Sequence, residues 1–202
     1  MAYGSNAPFG LRPLMHLDGT PWNGGLQNLS ISSGYATTIG YGDPVTQLSD
    51  GTIGRGVSAG PLLGVFMGCQ YYDSNRVLQN SKYWPASTTV ATGTIPVAYV
   101  VTDPTVVYTV QETNGSGAAG TPLALTDVFL NARLLITAAS TTTGGGLSLV
   151  SLDNSTLSTT ATWTVKVMGL DPRVGNNVGN YANWLVVINN HVLKGGTGTV
   201  GV

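Results

Sequence analysis

Charged side chains are scarce in this sequence: Lys, Arg, Asp and Glu together make up 8% of the residues, against about 25% in ordinary soluble domains. The eight Lys and Arg are spread thinly from Arg12 to Lys194, so they form no basic stripe of the kind that neutralises phosphates. We therefore expect no nucleic-acid partner. The formal net charge of −1 gives little repulsion between copies, which favours association.

Cysteine and long apolar runs are also nearly absent. Cys69 is the one cysteine, which excludes an intrachain disulfide and a multi-cysteine metal site. The longest apolar stretch, 61–69, is interrupted by Gly64 and Gly68 and is far shorter than the roughly 20 residues that span a bilayer. Residues 1–4 lack the charged start and apolar run of a secretory signal. We expect no membrane segment, no cofactor and no export by the general pathway.

Hydrophobic residues are plentiful, at 42% of the chain, and 28 residues are glycine. Runs of β-branched and aromatic residues recur between turn residues, a pattern that is typical of strands. The predicted strands are 29–39, 44–48, 62–72, 77–84, 97–101, 105–113, 147–152, 160–168 and 184–192. The sequence therefore predicts an all-β fold, either a β-barrel or a β-sandwich.

Three details of this pattern make sharper predictions. The runs 97–101 and 105–113 flank the turn signal Thr102-Asp103-Pro104, which predicts that they pair, and 153–156 is expected to be a turn. Residues 126–139 are compatible with a helix or with a short buried strand, and the pattern favours neither. In the run 160–168, strand alternation places Trp163, Val165 and Val167 towards one core and Thr162, Thr164 and Lys166 on the other side.

Residues 1–30 differ from the rest, because Gly and Pro interrupt them repeatedly while apolar residues stand between. This predicts an extended N-terminal arm that lies against a partner, followed by a β-rich domain over 31–202. A division of that domain near 85–95 into two β subdomains is an alternative. The candidate interface consists of apolar anchors and one arginine that could pair with a carboxylate of the partner: Phe9, Leu11, Arg12, Leu14 and Trp22.

Motifs that suggest chemistry lack the context they need. Residues 38–43 spell the potassium-channel filter signature, but no membrane-spanning segment flanks them. Residues 56–60 match the nucleophile elbow of α/β-hydrolases, in which Ser58 would need His191 as its base, but no alternating strands and helices surround the motif. His16 and His191 have no partners at metal-ligand spacing. We therefore expect that the protein is not an enzyme.

Several segments carry a family resemblance. Gly34-Tyr35-Ala36, Gly42-Asp43-Pro44-Val45, the run Gly64–Tyr72 and Val187-Ile188-Asn189-Asn190-His191 together resemble virion structural proteins of tailed bacteriophages. The resemblance is closest to small head proteins encoded beside the major capsid protein. It implies a decoration or cement subunit built from a β-barrel or β-sandwich, with an extended terminal arm that clamps neighbouring capsid subunits.

The resemblance sets the functional expectation. The chain is expected to decorate and stabilise a phage capsid by binding between major capsid protein subunits. It would be made in the bacterial host cytoplasm and lie on the outer surface of the virion, as a homotrimer at local threefold positions. The second interpretation is a tail-fibre, spike or host-glycan-binding β module, because aromatic side chains on β-folds stack on sugars. Exposure of Trp163 or Trp184 in a groove would favour it.

Overall fold

The computed structural model describes residues 4–142, 145–194 and 198–201. Over these ranges the chain forms twelve strands, two single-turn 3₁₀ helices and no α-helix, and no helix is long and apolar enough to cross a bilayer. The strands are β1 (Arg12–His16), β2 (Gln27–Ser30), β3 (Pro44–Gln47), β4 (Ile53–Arg55), β5 (Gly64–Tyr72), β6 (Leu78–Ser81), β7 (Val97–Val101), β8 (Val106–Thr113), β9 (Asn131–Leu135), β10 (Ser151–Ser158), β11 (Val165–Leu170) and β12 (Asn183–Ile188). The all-β prediction is confirmed.

Five strands close into a barrel in the order β8–β10–β9–β11–β12, because β12 pairs back onto β8. β8 and β10 run parallel, and β1 adds to the outside of the ring by pairing with β8. All eight residues of β8 are buried, because it contacts three strands. The interior is filled by apolar side chains that include Tyr108, Leu134, Val167 and Trp184. Each such side chain contributes about 1.5–3 kcal/mol when it is fully buried.

The second sheet has the order β2–β7–β5–β3–β4, with β6 beside the outer part of β5. A parallel bridge between Ile31 and Ile53 joins the chain just after β2 to β4, so the two edges of this sheet also approach each other. Its apolar cluster is separate from the barrel interior and includes Phe66 and Trp84. Tyr71 packs edge-on against Trp84, with the ring centroids 5.2 Å apart.

The chain passes from the second sheet to the barrel between β7 and β8. The runs 97–101 and 105–113 are both strands, but they lie in different sheets, so their predicted pairing is wrong. Val101 and Val106 both pack in the barrel core, which means that the turn between them carries the chain across that core instead of back along one sheet. The change of sheet lies at 102–105, not near 85–95.

The N-terminal segment is part of both sheets. β1 pairs with β8 of the barrel, while β2 pairs with β7 of the second sheet. The expectation of an arm separate from the β domain is therefore corrected for residues 4–30, and residues 1–3 lie outside the described residues. The physical reason is that Pro13 and Pro21 occupy edge positions of the β1 ladder, where a missing N–H is tolerated.

Two further segments differ from the sequence-based expectations. Residues 126–139 contain strand β9, so the strand alternative is correct there. Residues 153–156 lie inside β10 as an irregularity in its pairing with β9, and not at a strand end. Asp153 accounts for this, because its Oδ1 accepts hydrogen bonds from the backbone N–H (3.1 Å) and the hydroxyl (2.6 Å) of Ser155. A turn-forming side chain thus produces a local bulge.

The predicted inward and outward alternation of side chains over 162–167 holds within β11, which begins at Val165, and fails for the residues just before it. Val165 and Val167 face the barrel core. Trp163 lies outside that core cluster, where the Arg133 guanidinium covers its ring at 5.0 Å. Thr164 is fully buried instead of facing outwards, because its hydroxyl donates to the carbonyl oxygen of Ser58 at 2.6 Å.

Candidate functional site

The five predicted interface residues separate into three environments. Leu11 is fully buried in the barrel core, so the prediction that it contacts a partner is wrong for this structure. The chain's own β-barrel covers it. Phe9 and Arg12 form a pair, with the guanidinium 4.2 Å from the ring centroid. Leu14 is 41% exposed, and Trp22 is half-buried against the barrel core.

Leu14 and Trp22 belong to a small N-terminal hairpin, residues 12–22, that begins with β1, and Phe9 and Leu11 lie directly before it. The bridge between Met15 and Pro21 and the bond from the Trp22 N–H to the Leu14 carbonyl (3.1 Å) hold its two arms together. At the tip, Asp18 Oδ1 accepts the backbone N–H of Thr20 at 2.9 Å. Leu17 at this tip is 48% exposed. The hairpin therefore presents apolar side chains to solvent from a backbone that is already ordered.

A cavity of about 530 Å³ lies where this hairpin meets the turn between the two sheets. Its lining includes Trp22, Leu26 and Leu193 on the apolar side and His16, Gln27 and Asp103 on the polar side. β1 supplies the histidine, β2 the glutamine and the 102–105 turn the carboxylate. The cavity is thus a product of the tertiary fold, because Asp103 and Leu193 are far in the sequence from the β1–β2 segment that they join.

Asp103 organises the polar side of the cavity. Its Oδ1 accepts the backbone N–H (2.8 Å) and the hydroxyl (2.7 Å) of Thr105, and its Oδ2 lies 3.3 Å from Nδ1 of His16. The bond from the Thr105 backbone, together with the hydroxyl and the two nearby histidines, lowers the pKa of Asp103 despite its partial desolvation. The carboxylate stays ionised at neutral pH, and its side chain is 46% exposed.

The charge of Asp103 acts on both histidines, although the sequence places them near opposite ends of the chain; His16 Nδ1 lies 3.3 Å from it, and the buried His191 is near enough to feel its charge. His191 is buried, and its Nδ1 accepts the backbone N–H of Leu193 at 3.0 Å. Burial, with the nearby Lys194 charge, lowers the pKa of His191 to about 4. Within the described ranges its Nε2 has no hydrogen-bond partner of good geometry, although the backbone of Thr102 lies near enough to act against the lowering of the pKa. No hydrogen bond joins it to Ser58 there, so the hydrolase arrangement of these two residues is not formed.

His16, Asp103 and His191 do not make a metal centre. Among the described residues, no group of three or more His, Cys, Asp or Glu side chains is placed to hold a metal ion. The site can therefore donate and accept hydrogen bonds and can attract a cation weakly through one exposed carboxylate.

The channel-like motif at 38–43 forms a buried turn between the sheets. Asp43 is fully buried and its Oδ2 accepts the N–H of Gly40 at 2.8 Å. Burial raises the pKa of Asp43, while the Ser148 hydroxyl and the Gly40 N–H act in the opposite direction. The Gly40 position is crowded as well, because a Cβ there would lie 2.4 Å from the Cβ of Ala139. The motif therefore has a structural role, because it lets the backbone pack closely where the two sheets meet.

Glu112 is a buried acid inside the barrel wall. Its Oε2 accepts the backbone N–H of Leu123 at 2.9 Å, whereas its Oε1 has no partner of good geometry among the described residues. Burial raises the pKa of Glu112 to about 7, although the side chains of Asn154 and Trp184 act to lower it. The signal in the sequence was a lone carboxylate within the otherwise uncharged strand run 105–113.

A second, more polar depression of about 320 Å³ lies beside the 171–183 loop. The polar groups of this loop are mostly satisfied within it. Asn176 Nδ2 donates to the carbonyl oxygens of Asp171 and Asn183, both at 2.8 Å, and Arg173 pairs with Asp171 at 2.6 Å. These bonds hold the loop, and within the described ranges the buried Oδ1 atoms of Asn180 and Asn183 have no hydrogen-bond partner.

The two tryptophans proposed for glycan stacking are not available for it. Trp184 is fully buried in the barrel, and Arg133 covers Trp163. Trp22 is the tryptophan that lines a cavity with polar groups around it. Sequence reasoning assigned Trp22 to a protein interface and missed Gln27 and Asp103, which carry no motif and come together only in the folded chain.

Comparison of the chain with protein-family models, with curated proteins and with solved structures finds no match. The resemblance to phage head proteins therefore stays a prediction.

Proposed function

We propose that this chain is a virion structural protein that decorates a tailed-phage head by binding between major capsid protein subunits. The observation that carries the proposal is the ordered N-terminal hairpin, which presents the exposed Leu14 and Leu17 and the Phe9–Arg12 pair. The scarcity of charge supports it, since 8% charged residues leave few ions to desolvate at a contact. The resemblance of 34–36, 42–45, 64–72 and 187–191 to phage head proteins supports it as well.

The hairpin is suited to docking because it is ordered before a partner arrives. β1 is fixed by its pairing with β8 and by the bond from the Leu11 N–H to the Gly42 carbonyl at 2.9 Å. A rigid surface loses less conformational entropy on binding than a free arm does. Arg12 lies over Phe9 and keeps donors that can pair with a carboxylate of the capsid subunit.

One hairpin supplies only modest affinity. Burying a fully exposed Leu or Phe side chain contributes about 1.5–3 kcal/mol, and Leu14 is already more than half covered. Several linked copies would add their contributions, since the second contact of a linked pair forms at a high effective concentration. The proposal therefore includes a homotrimer at local threefold positions on the outer surface of the capsid.

The proposal is tested with point variants in the full chain. Removing the whole segment would delete strands from both sheets and unfold the protein. Leu14→Asp and Arg12→Glu are compared with Leu78→Asp, because Leu78 also lies on an outer strand and is exposed to almost the same extent, 43% against 41%. Each protein is added to undecorated capsids and co-sedimented.

Loss of capsid binding in the Leu14 and Arg12 variants, with binding kept by the Leu78 variant, is the expected result. Equal binding by all four proteins would remove the hairpin from the interface. A monodisperse monomer with no affinity for any undecorated head would overturn the decoration function itself. Sedimentation equilibrium of the free protein measures the oligomeric state separately.

A further inference from the structure

We propose that the cavity between the N-terminal hairpin and the 102–105 turn is a binding site for a neutral saccharide. This site is separate from the capsid contact proposed above, and neither depends on the other. At about 530 Å³, the cavity lies within the range of roughly 300–1,000 Å³ that is typical of small-molecule sites.

The apolar wall of the cavity matches the non-polar face of a pyranose ring. Trp22 is held by packing against the barrel core, so its indole is a fixed surface and not a mobile side chain. Leu26 and Leu193 line the same cavity and are 45% and 57% exposed. A ring stacked on Trp22 would cover apolar surface that now faces water.

The polar wall supplies one acceptor and two oriented donors. Asp103 Oδ1 is occupied by Thr105, while Oδ2 lies 3.3 Å from Nδ1 of His16 and keeps lone-pair capacity for a further donor. The Oε1 of Gln27 accepts the Thr102 hydroxyl at 2.8 Å, and the Oδ1 of Asn23 accepts the Gly25 N–H at 3.2 Å. These bonds fix which end of each amide is the donor. Neither NH₂ group has a protein partner within the described part of the chain.

This combination selects neutral sugars over the other ligand classes. A carboxylate accepts hydrogen bonds from a pair of adjacent hydroxyls, and amide NH₂ groups donate to ring or hydroxyl oxygens. Phosphate, sulfate and sialic acid carry negative charge, and among the described residues the lining contains Asp103 but no Lys or Arg. Within the part of the chain that the structure describes, no group of three or more His, Cys, Asp or Glu side chains is placed to hold a metal ion there.

The experiment uses the full chain and the methyl glycosides of glucose, galactose, mannose and N-acetylglucosamine as probes. Glucose 6-phosphate and sialic acid serve as anionic comparators. Saturation-transfer NMR detects contact and calorimetry measures affinity. At least one neutral glycoside is expected to bind saturably, with both anionic probes weaker.

Asp103→Asn tests the acceptor, and Asp50→Asn is its matched control. Asp50 makes the same pair of bonds, to the N–H (3.0 Å) and the hydroxyl (2.7 Å) of Thr52, in a turn away from the cavity. The Asp103 variant should lose at least about tenfold in affinity because a charged acceptor is replaced by a neutral one. The Asp50 variant should bind as the wild type does. Unchanged affinity in Asp103→Asn, tighter anionic binding, or no saturable neutral glycoside overturns the proposal.

Trp22→Leu provides a second test of the stacking surface. It keeps an apolar side chain against the core and removes the aromatic face, so binding should fall while the circular dichroism spectrum stays β-type. If this variant does not fold, the Asp103 and Asp50 pair still decides the question.

Discussion

The backbone N–H of Leu11 donates to the carbonyl oxygen of Gly42 at 2.9 Å, and this bond ties the N-terminal segment to the turn that precedes β3 of the second sheet. Gly10 lies beside the contact with a φ of 75°. A Cβ at Gly10 would lie 2.5 Å from both the Gly42 oxygen and the Cβ of Ser148. Three chain segments therefore meet here at a distance that a side chain on residue 10 would prevent.

Gly10→Ala should destabilise the protein strongly. Gly51→Ala is the control, because Gly51 has a similar φ of 81° but nothing within 4 Å of its added Cβ. The control carries only the backbone strain, about 1 kcal/mol. Steric overlap should add at least about 2 kcal/mol to the loss of unfolding free energy at Gly10. Urea denaturation of both variants measures the difference, and equal losses would mean that the junction relaxes freely.

Leu11→Ala and Leu14→Ala should differ in how strongly they destabilise the protein. Leu11 is fully buried and Leu14 is 41% exposed. The Leu11 change should cost about 2–5 kcal/mol of unfolding free energy, as a core truncation does. The Leu14 change should cost under about 1 kcal/mol. Thermal melts of the two variants check this, and a larger loss at Leu14 would contradict the placement of β1.

The sequence predicts the fold class and most strand positions, because alternation and turn residues are local properties. Val97–Val101 is found as predicted, and β5 begins two residues after its predicted start at Leu62. That β7 and β8 lie in different sheets could not be predicted in the same way. Whether a turn returns the chain along one sheet or carries it across a core depends on contacts with distant strands, such as the parallel pairing of Leu152 with Glu112.

The candidate site was predictable only in part, for the same reason. The N-terminal segment stood out through Phe9, Arg12 and Trp22, whose residue types are common at interfaces. The placement of Asp103 beside His16, and its electrostatic effect on His191, had no signal in the sequence, because both depend on β1 joining the barrel and on the chain changing sheet at 102–105.

Glu112→Gln should stabilise the protein at pH 8 and leave its stability at pH 5 nearly unchanged. Burial raises the pKa of Glu112 to about 7 in the folded chain, above the ordinary 4.5. The folded state therefore holds a proton that the unfolded state releases, and stability is lost as the pH rises from about 4.5 to 7. After allowance for solvent screening, we expect a gain of about 1–2 kcal/mol at pH 8. Denaturation at the two pH values measures it, and a Gln variant that is less stable at pH 8 would contradict this sign.

His191 should make the protein less stable at low pH, which is opposite to the effect of Glu112. The effect is measured in the Glu112→Gln variant, because the contribution of Glu112 is absent there. Burial lowers the pKa of His191 to about 4 from the ordinary 6.5. The unfolded chain takes up a proton below 6.5 while the folded chain stays neutral, so stability is lost as the pH falls from about 6.5 to 4. In Glu112→Gln, unfolding free energy should therefore decline over that range. Adding His191→Gln should flatten this decline of the unfolding free energy. If the slope does not change, other groups cause the decline.

Cys69 reports on the second sheet independently of the barrel. The thiol is buried at 1% exposure within the second apolar cluster, and its Sγ donates to the Tyr83 carbonyl oxygen at 3.5 Å. Burial raises the pKa of this thiol to about 12, so almost no thiolate exists at neutral pH, and the thiolate is the reactive form. A disulfide reagent should therefore label the native protein only through opening of β5 from its neighbours.

The variant Ser74→Cys adds an exposed thiol at the nearby hairpin and should react at once, which calibrates the reagent. The tryptophan signal is followed in a Trp84→Phe background, because Trp84 lies in the second cluster. If the labelling rate of Cys69 rises with urea before the signal of the remaining tryptophans changes, the second sheet opens on its own. If both change together, the shared junction at Leu11 and Gly42 makes the two sheets one cooperative unit. Rapid labelling of Cys69 in native buffer would contradict its burial.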